Sequence, residues 1–329
     1  MFIPAADPNK DLRLPLVGFL PNKVRNHFIA MMAEFVGTFM FLFLAFSATQ
    51  VANASAPKTS DDSGLTQVPN VAILQYISLA FGFSLAVNAW VFFRVSGGLF
   101  NPAVTLGMAI IGAVGWMRAL LVLFAQLLGS MASAAVVSAL FPGPLSVSTT
   151  ISNSTSLTQA LFIEMFLTTL LVFTIFMLAA EKHKATFIAP IGIGLSLFVA
   201  EMSGVFFTGG SLNPARSFGP CVVNRDFPSY HWLYWLGPCL GSLIAAGFYR
   251  FCRVFEFETA NPGQDFDDKE DEAFEFDEDH AATAAHVQRP VQGLSIAQIL
   301  SHGPNAQVDV PEGIVLGSQP TNVGIARPQ

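Results

Sequence analysis

The chain has 329 residues, of which 52% are hydrophobic and only 12% charged, with 32 Phe in the apolar set. A soluble domain carries about 25% charged residues, so this balance excludes an ordinary water-soluble protein and makes lipid the expected solvent. The net charge of −7 misleads, because residues 256–279 hold twelve acids and one Lys while the apolar part is nearly balanced, without the basic stripe that nucleic acid requires.

In chain order, residues 1–27 are polar and carry Lys10, Arg13, Lys23 and Arg25. The apolar run behind them is too long for the core of a cleavable signal. A hydrocarbon core of about 30 Å needs about 20 apolar helical residues. Six runs qualify, near 28–51, 71–92, 117–140, 159–180, 186–207 and 231–252. An even number of spans places both termini on one side. The basic residues of the N-terminal segment, Lys182, Lys184, Arg250 and Arg253 mark that side as cytoplasmic. The loops after spans 1 and 3 then lie outside. Each carries an N-x-[ST] sequon, Asn53-Ala54-Ser55 and Asn153-Ser154-Thr155, so Asn53 and Asn153 are candidate glycosylation sites. Residues 254–329 form an acidic, then Pro/Gly/Gln-containing tail with too little apolar surface to fold alone, expected to be disordered and cytoplasmic.

An internal repeat organises the membrane part. Ser96-Gly97-Gly98-Leu99-Phe100-Asn101-Pro102-Ala103 recurs as Thr208-Gly209-Gly210-Ser211-Leu212-Asn213-Pro214-Ala215. Glu34 with Thr38 opens span 1, as Glu164 with Thr168 opens span 4. The repeats cover about 28–140 and 159–252 and hold three spans each, so their orientations must be opposite, with the functional site where they meet at midplane.

Asn is a favoured helix N-cap and Pro the favoured first helical residue, so each Asn-Pro-Ala reads as a helix start. The segments that follow, near 101–111 and 213–222, cross half a bilayer at about 1.5 Å per residue. Inversion brings the two N-termini together at the centre. Their positive partial charge repels cations and protons, and the Asn side-chain NH2 groups are expected to be free to donate to water in a pore. Gly97, Gly98, Gly209 and Gly210 let the preceding backbone present carbonyls to that pore.

These residues carry a family resemblance. From Glu34 to about Arg253, the chain resembles the aquaporins, or major intrinsic proteins, in the stretches 96–107, 118–129, 209–220 and 231–238. Around Arg94–Gly98 it is most similar to fungal members. The resemblance implies an all-α channel domain over 28–253 with six transmembrane helices and two half-helices. It also implies a homotetramer with one pore per subunit, set in membrane lipid, with the plasma membrane the expected location.

Residue by residue, the resemblance implies a pore lined by Asn101, Pro102, Ala103, Asn213, Pro214 and Ala215. It implies an outer selectivity filter of Phe81, Glu201, Gly210 and Arg216. Glu201 departs from the His of water-selective relatives and the Gly of glycerol-conducting ones. An intramembrane acid is a functional candidate, and Arg216 is its expected partner. No Cys stands at 210, so mercury inhibition there is not expected. Ser217, Tyr234 and Trp235 resemble the water-type branch, whereas Cys221 departs from its usual Ala. Glu34 and Glu164 are expected to support the non-helical loops.

The expected function is passive passage of water with exclusion of protons and ions. The alternatives are a channel for hydrogen peroxide, ammonia or small polyols with selectivity altered by Glu201, or a poorly conducting junction or scaffold protein. A secondary transporter also uses broken helices, but the spans carry few ion ligands beyond the three glutamates. No Walker motif, metal-spaced His or Cys set, or nucleophile–base arrangement suggests an enzyme, metal or cofactor.

Overall fold

The computed structural model describes residues 21–55 and 70–261. Lys10, Arg13, most of the loop after span 1 and the tail beyond residue 261 lie outside the described residues. The first repeat runs α1 (Asn22–Ala54), α2 (Val71–Phe92), the short α3 (Pro102–Ile110) and α4 (Trp116–Leu140). The second runs α5 (Leu157–Ile175), α6 (Ala189–Thr208), the short α7 (Pro214–Asn224) and α8 (Leu233–Val254). Helix α5 continues into a wider turn over Phe176–Ala180, closed by the Glu181 N–H on the Phe176 carbonyl at 2.9 Å.

Among the described residues, five helices are both long and apolar enough to cross a membrane, α1, α2, α4, α5 and α6 with their short extensions. The sixth span, α8, is long enough at 22 residues, but Tyr234, Trp235, Pro238 and Arg250 dilute its apolar content. Large apolar side chains such as Phe83, Trp90, Phe124, Phe166 and Leu195 point outward, as a lipid-facing surface requires.

Contacts obey the repeat. Helix α1 packs on α2 and α4, and α5 packs on α6 and α8 in the same way. Each half-helix crosses over, with α7 against α4 and α3 against α8. Helices α2 and α6 meet most extensively of all, at Gly82 and Gly194, which stand at the same offset ahead of Asn101 and Asn213. A Cβ on Gly194 would lie 2.5 Å from the Gly82 carbonyl, and one on Gly82 would lie 2.8 Å from the Gly194 carbonyl. Gly129 and Gly241 repeat the device, with a Cβ on either falling within 2.6 Å of the Phe35 or Met165 carbonyl, respectively. Small residues thus carry the helix contacts, as lipid-embedded packing favours.

The cytoplasmic end predicted from the basic residues is tied by polar contacts. Arg253 lies 3.5 Å from Glu181 and 2.7 Å from Glu258, and the Tyr249 hydroxyl donates to Glu181. At the opposite end, the loop after α4 turns inward. Gln50 donates to the Pro144 carbonyl at 3.0 Å and accepts from the Ser146 N–H at 2.8 Å. Asn53 was expected in a loop but sits in the last turn of α1, where its amide donates to the Ser146 carbonyl at 2.6 Å. Asn153 lies exposed in a turn.

Candidate pore and filter

The two half-helices begin as their sequences require. Asn101 Oδ1 accepts from the Ala103 and Val104 N–H groups at 2.8 and 3.4 Å, and Asn213 Oδ1 from Ala215 and Arg216 at 3.0 and 3.4 Å. Pro102 and Pro214 occupy the first helical positions, where no N–H is needed. At nine and eleven residues, the half-helices span about half a hydrocarbon core.

The sequence predicts free Asn amides, but each is partly engaged. Asn101 Nδ2 donates to the Leu212 carbonyl at 2.8 Å, and Asn213 Nδ2 donates to the Phe100 carbonyl at 2.9 Å. Each amide braces the other repeat with one N–H and has a second N–H to donate. Phe100 and Leu212 take left-handed backbone, at φ 50° and 48°, which non-glycine residues seldom adopt. Both side chains are fully buried, so packing holds the strained turns in place.

Two glutamates sit behind these turns. Glu34 accepts from the Leu99 and Phe100 N–H groups at 3.0 and 2.8 Å, from Ser96 Oγ at 2.6 Å and from Gln126 Nε2 at 2.9 Å. Glu164 accepts from the Ser211 and Leu212 N–H groups at 2.9 and 2.7 Å and from Thr208 Oγ1 at 2.6 Å. Irregular backbone at membrane depth needs such acceptors, because lipid offers none.

Repeat-related serines, which no motif marks, add to this support. Ser130 on α4 donates to the Ala215 carbonyl at 2.5 Å, and Ser242 on α8 donates to the Ala103 carbonyl at 2.7 Å. Each follows a packing glycine, Gly129 or Gly241, so aligning the repeats beyond Asn-Pro-Ala would have found them.

Between the repeats lies a narrow cavity of about 20 Å³, room for about one water. Asn101, Asn213, Ser211, Glu201 and Arg216 give it a polar side, and Phe41, Leu85, Leu171, Ile175, Ile193 and Leu197 give it an apolar wall. Phe81 lines it as well.

Arg216 is 3% exposed and donates to backbone only, from Nε to the Gly210 carbonyl at 3.1 Å and from its terminal nitrogens to Val147 at 2.7 Å and Gly209 at 3.5 Å. Its guanidinium carbon lies 4.8 Å from the Phe81 ring centre and 5.3 Å from that of Phe46. The loop holding Val147 is pinned by hydroxyls. Thr149 donates to Ser217 Oγ at 2.9 Å, Ser217 Oγ lies 2.6 Å from Ser211 Oγ, and Asn224 reaches the Leu145 carbonyl at 3.2 Å. Tyr234 donates to the Thr208 carbonyl at 2.8 Å.

Glu201 corrects the expected pairing. It lines the same cavity as Arg216 and is fully buried, yet neither carboxyl oxygen has a hydrogen-bond partner among the described residues. Arg216 has its bonds on carbonyls, and Glu201 leans on Gly210 instead. A Cβ at position 210 would lie 1.8 Å from Glu201 Oε2, so the glycine leaves the room that the carboxyl occupies. Gly210 has φ 58° and Gly209 φ 81°, left-handed values that favour glycine. Cys221 is buried beside His231, at 3.5 Å from Nδ1. No cluster of potential metal ligands occurs among the described residues.

Residues 22–249 match the family model of the major intrinsic proteins. The chain belongs to that family. It is 65% identical to aquaporin-7 of Botryotinia fuckeliana (strain B05.10) over 247 residues, covering 75% of this chain and 54% of that protein. It is 57% identical to an aquaporin-5 of the same fungus over 260 residues, covering 79% of this chain and 48% of the other. The chain therefore spans about half the length of these relatives. The fold matches the structure of the aquaglyceroporin from Plasmodium falciparum with a TM-score of 0.61 at 23% identity, covering 70% of this chain and 99% of that one. As a member of the major intrinsic protein family with helices long and apolar enough to cross a membrane, the chain is an integral membrane protein.

Proposed function

We propose that the channel passes water passively and excludes protons and ions. The observation that carries this reading is the pair of capped half-helices. They meet through reciprocal Asn101 and Asn213 bonds at a cavity that Arg216 also lines. Two helix N-termini and a guanidinium concentrate positive potential there, which opposes cations and hydronium. The Asn N–H groups left for the pore turn a water's oxygen toward them, which interrupts a proton-conducting chain. Phe81 and Arg216 narrow the outer end, and Glu34 and Glu164 support the turns.

Glu201 favours a second reading. Its unpartnered carboxyl adds an acceptor that a strict water filter does not need, so hydrogen peroxide, ammonia or small polyols enter the permeant set as alternatives. We place the channel body at 28–253, the tail at 254–329 and both termini in the cytoplasm. A homotetramer in the plasma membrane, with water and small solutes as its ligands, completes the proposal. Asn153 is the better glycan acceptor, since the Asn53 amide is engaged.

The test is osmotic shrinkage of proteoliposomes containing the full chain, followed by stopped-flow light scattering. Water flux well above bare lipid with a low activation energy is expected. Flux equal to empty vesicles, from correctly inserted protein, would falsify the open-channel reading.

A further inference from the structure

The starts of α1 and α4 gather hydrogen-bond donors without an acceptor. Arg118 stands in the first turn of α4, and its Nε–H donates to His27 Nδ1 on α1 at 3.5 Å. A guanidinium nitrogen only donates, so Nδ1 accepts, and the neutral ring carries its proton on Nε2 as a further donor. The terminal nitrogens of Arg118 keep their N–H groups, in the planar fork that fits two oxygens of a phosphate. Lys23 lies one turn before His27, on the same face of α1. Among the described residues no acid pairs with any of the three. The one acid on the two helices, Glu34, is buried on the Leu99 and Phe100 N–H groups. Neither helix has a side-chain cap or an acid in its first turn, so two positive helix ends add to the three side chains.

We infer that Lys23, His27 and Arg118 hold the phosphate of an anionic phospholipid, of which phosphatidic acid is the simplest. The chemistry is a phosphate met by N–H donors, and the surroundings favour lipid as its source. Exposed apolar side chains flank the basic groups on both helices, Phe28 and Met32 on α1 and Trp116 and Leu120 on α4. Trp concentrates at the membrane–water interface, so Trp116 beside Arg118 sets the cluster at headgroup depth. A phosphate tethered to acyl chains uses both parts of this surface, whereas a free phosphate uses only the basic groups. This end of the molecule is the one that the basic residues mark as cytoplasmic, and the cytoplasmic leaflet carries the anionic lipids. The site is independent of what the pore conducts.

The experiment is native mass spectrometry of the full chain in detergent, titrated with phosphatidic acid or with phosphatidylcholine of the same acyl chains. Phosphatidic acid should bind at least about tenfold more tightly, the scale of charge-assisted hydrogen bonds. Lys23→Gln combined with Arg118→Gln should bring that ratio close to one. Arg94→Gln removes an exposed charge from the turn after α2 and should leave the ratio unchanged. Equal binding of the two lipids by the wild type overturns the proposal. So does a ratio that survives the double variant, or one that falls as far with Arg94→Gln, since either result means diffuse attraction instead of a site. The acidic run at 256–279 stays in place throughout, so a wild-type ratio of one also covers its capture of the basic groups. Inorganic phosphate in large excess is the last arm. Displacement of phosphatidic acid by it means that the site takes free phosphate, and the lipid assignment fails. The wild-type comparison decides by itself if the double variant does not fold.

Discussion

Arg216 is held by carbonyls from two separate segments, Gly209–Gly210 and the inward loop at Val147. Arg216→Ala should therefore do more than widen the filter. It would leave those carbonyls without donors and remove the positive charge that we propose opposes cations. We expect a measurable cation conductance in planar bilayers where the wild type gives none. A silent Arg216→Ala channel that still passes water would show that charge exclusion lies elsewhere. Glu164 is a matter of satisfied donors. Glu164→Ala strands the Ser211 and Leu212 N–H groups, while the Thr208 hydroxyl keeps the Gly204 carbonyl, at a cost of about 2–6 kcal/mol. Glu164→Gln keeps one acceptor, so melting temperatures in detergent should fall in the order wild type, Gln, Ala. These residues were legible in the sequence because charge inside an apolar run has few innocuous explanations. Their bonds were less legible. The direct Glu201–Arg216 bond read from spacing is absent, since Arg216 donates to the Gly209, Gly210 and Val147 carbonyls instead.

At the scale of the helices, Asn-Pro-Ala identified α3 and α7 because cap and first-turn preferences are local rules. Their ends, Ile110 and Asn224, fall within two residues of the expected ones. Helix α1 runs from Asn22 to Ala54, beyond the apolar stretch at both ends, because polar residues continue a helix into the interface without any hydropathy signal. The loop at 144–152 is legible as an external loop, but its inward turn onto Arg216 carries no sequence signal. It has neither periodicity nor charge, and its role comes from backbone carbonyls that every sequence possesses. The α2–α6 crossing makes the sharpest prediction at this scale. Gly194→Ala would drive a Cβ to 2.5 Å from both the Gly82 carbonyl and the Ala86 Cβ, and backbone on the other side has little freedom to retreat. A loss of about 1–3 kcal/mol is expected, read as a lower unfolding temperature in detergent. Gly247→Ala is the control, because nothing lies within 4 Å of a Cβ there. Equal stability for the two variants would mean that the crossing tolerates separation.

For the molecule as a whole, the inverted repeat was the most readable feature, because two copies of one motif constrain each other. How deeply the halves interlock was not readable. Asn101 and Leu212, bonded in the pore, are 111 residues apart in the chain. Ribosomes add about 5–20 residues per second, so the first half-helix waits roughly 5–20 s before its partner carbonyl exists. During that interval α3 has its cap and Glu34 but neither the Leu212 carbonyl nor the Ser242 hydroxyl. The N-terminal half made alone should thus be cut by protease within residues 93–115, and co-expression with the C-terminal half should protect it. Equal cleavage in both cases would show that the first repeat closes its own turn. Because each repeat holds bonds that only the other can complete, the cell's quality control can judge the pore finished at a single late moment of synthesis, when the last helix docks.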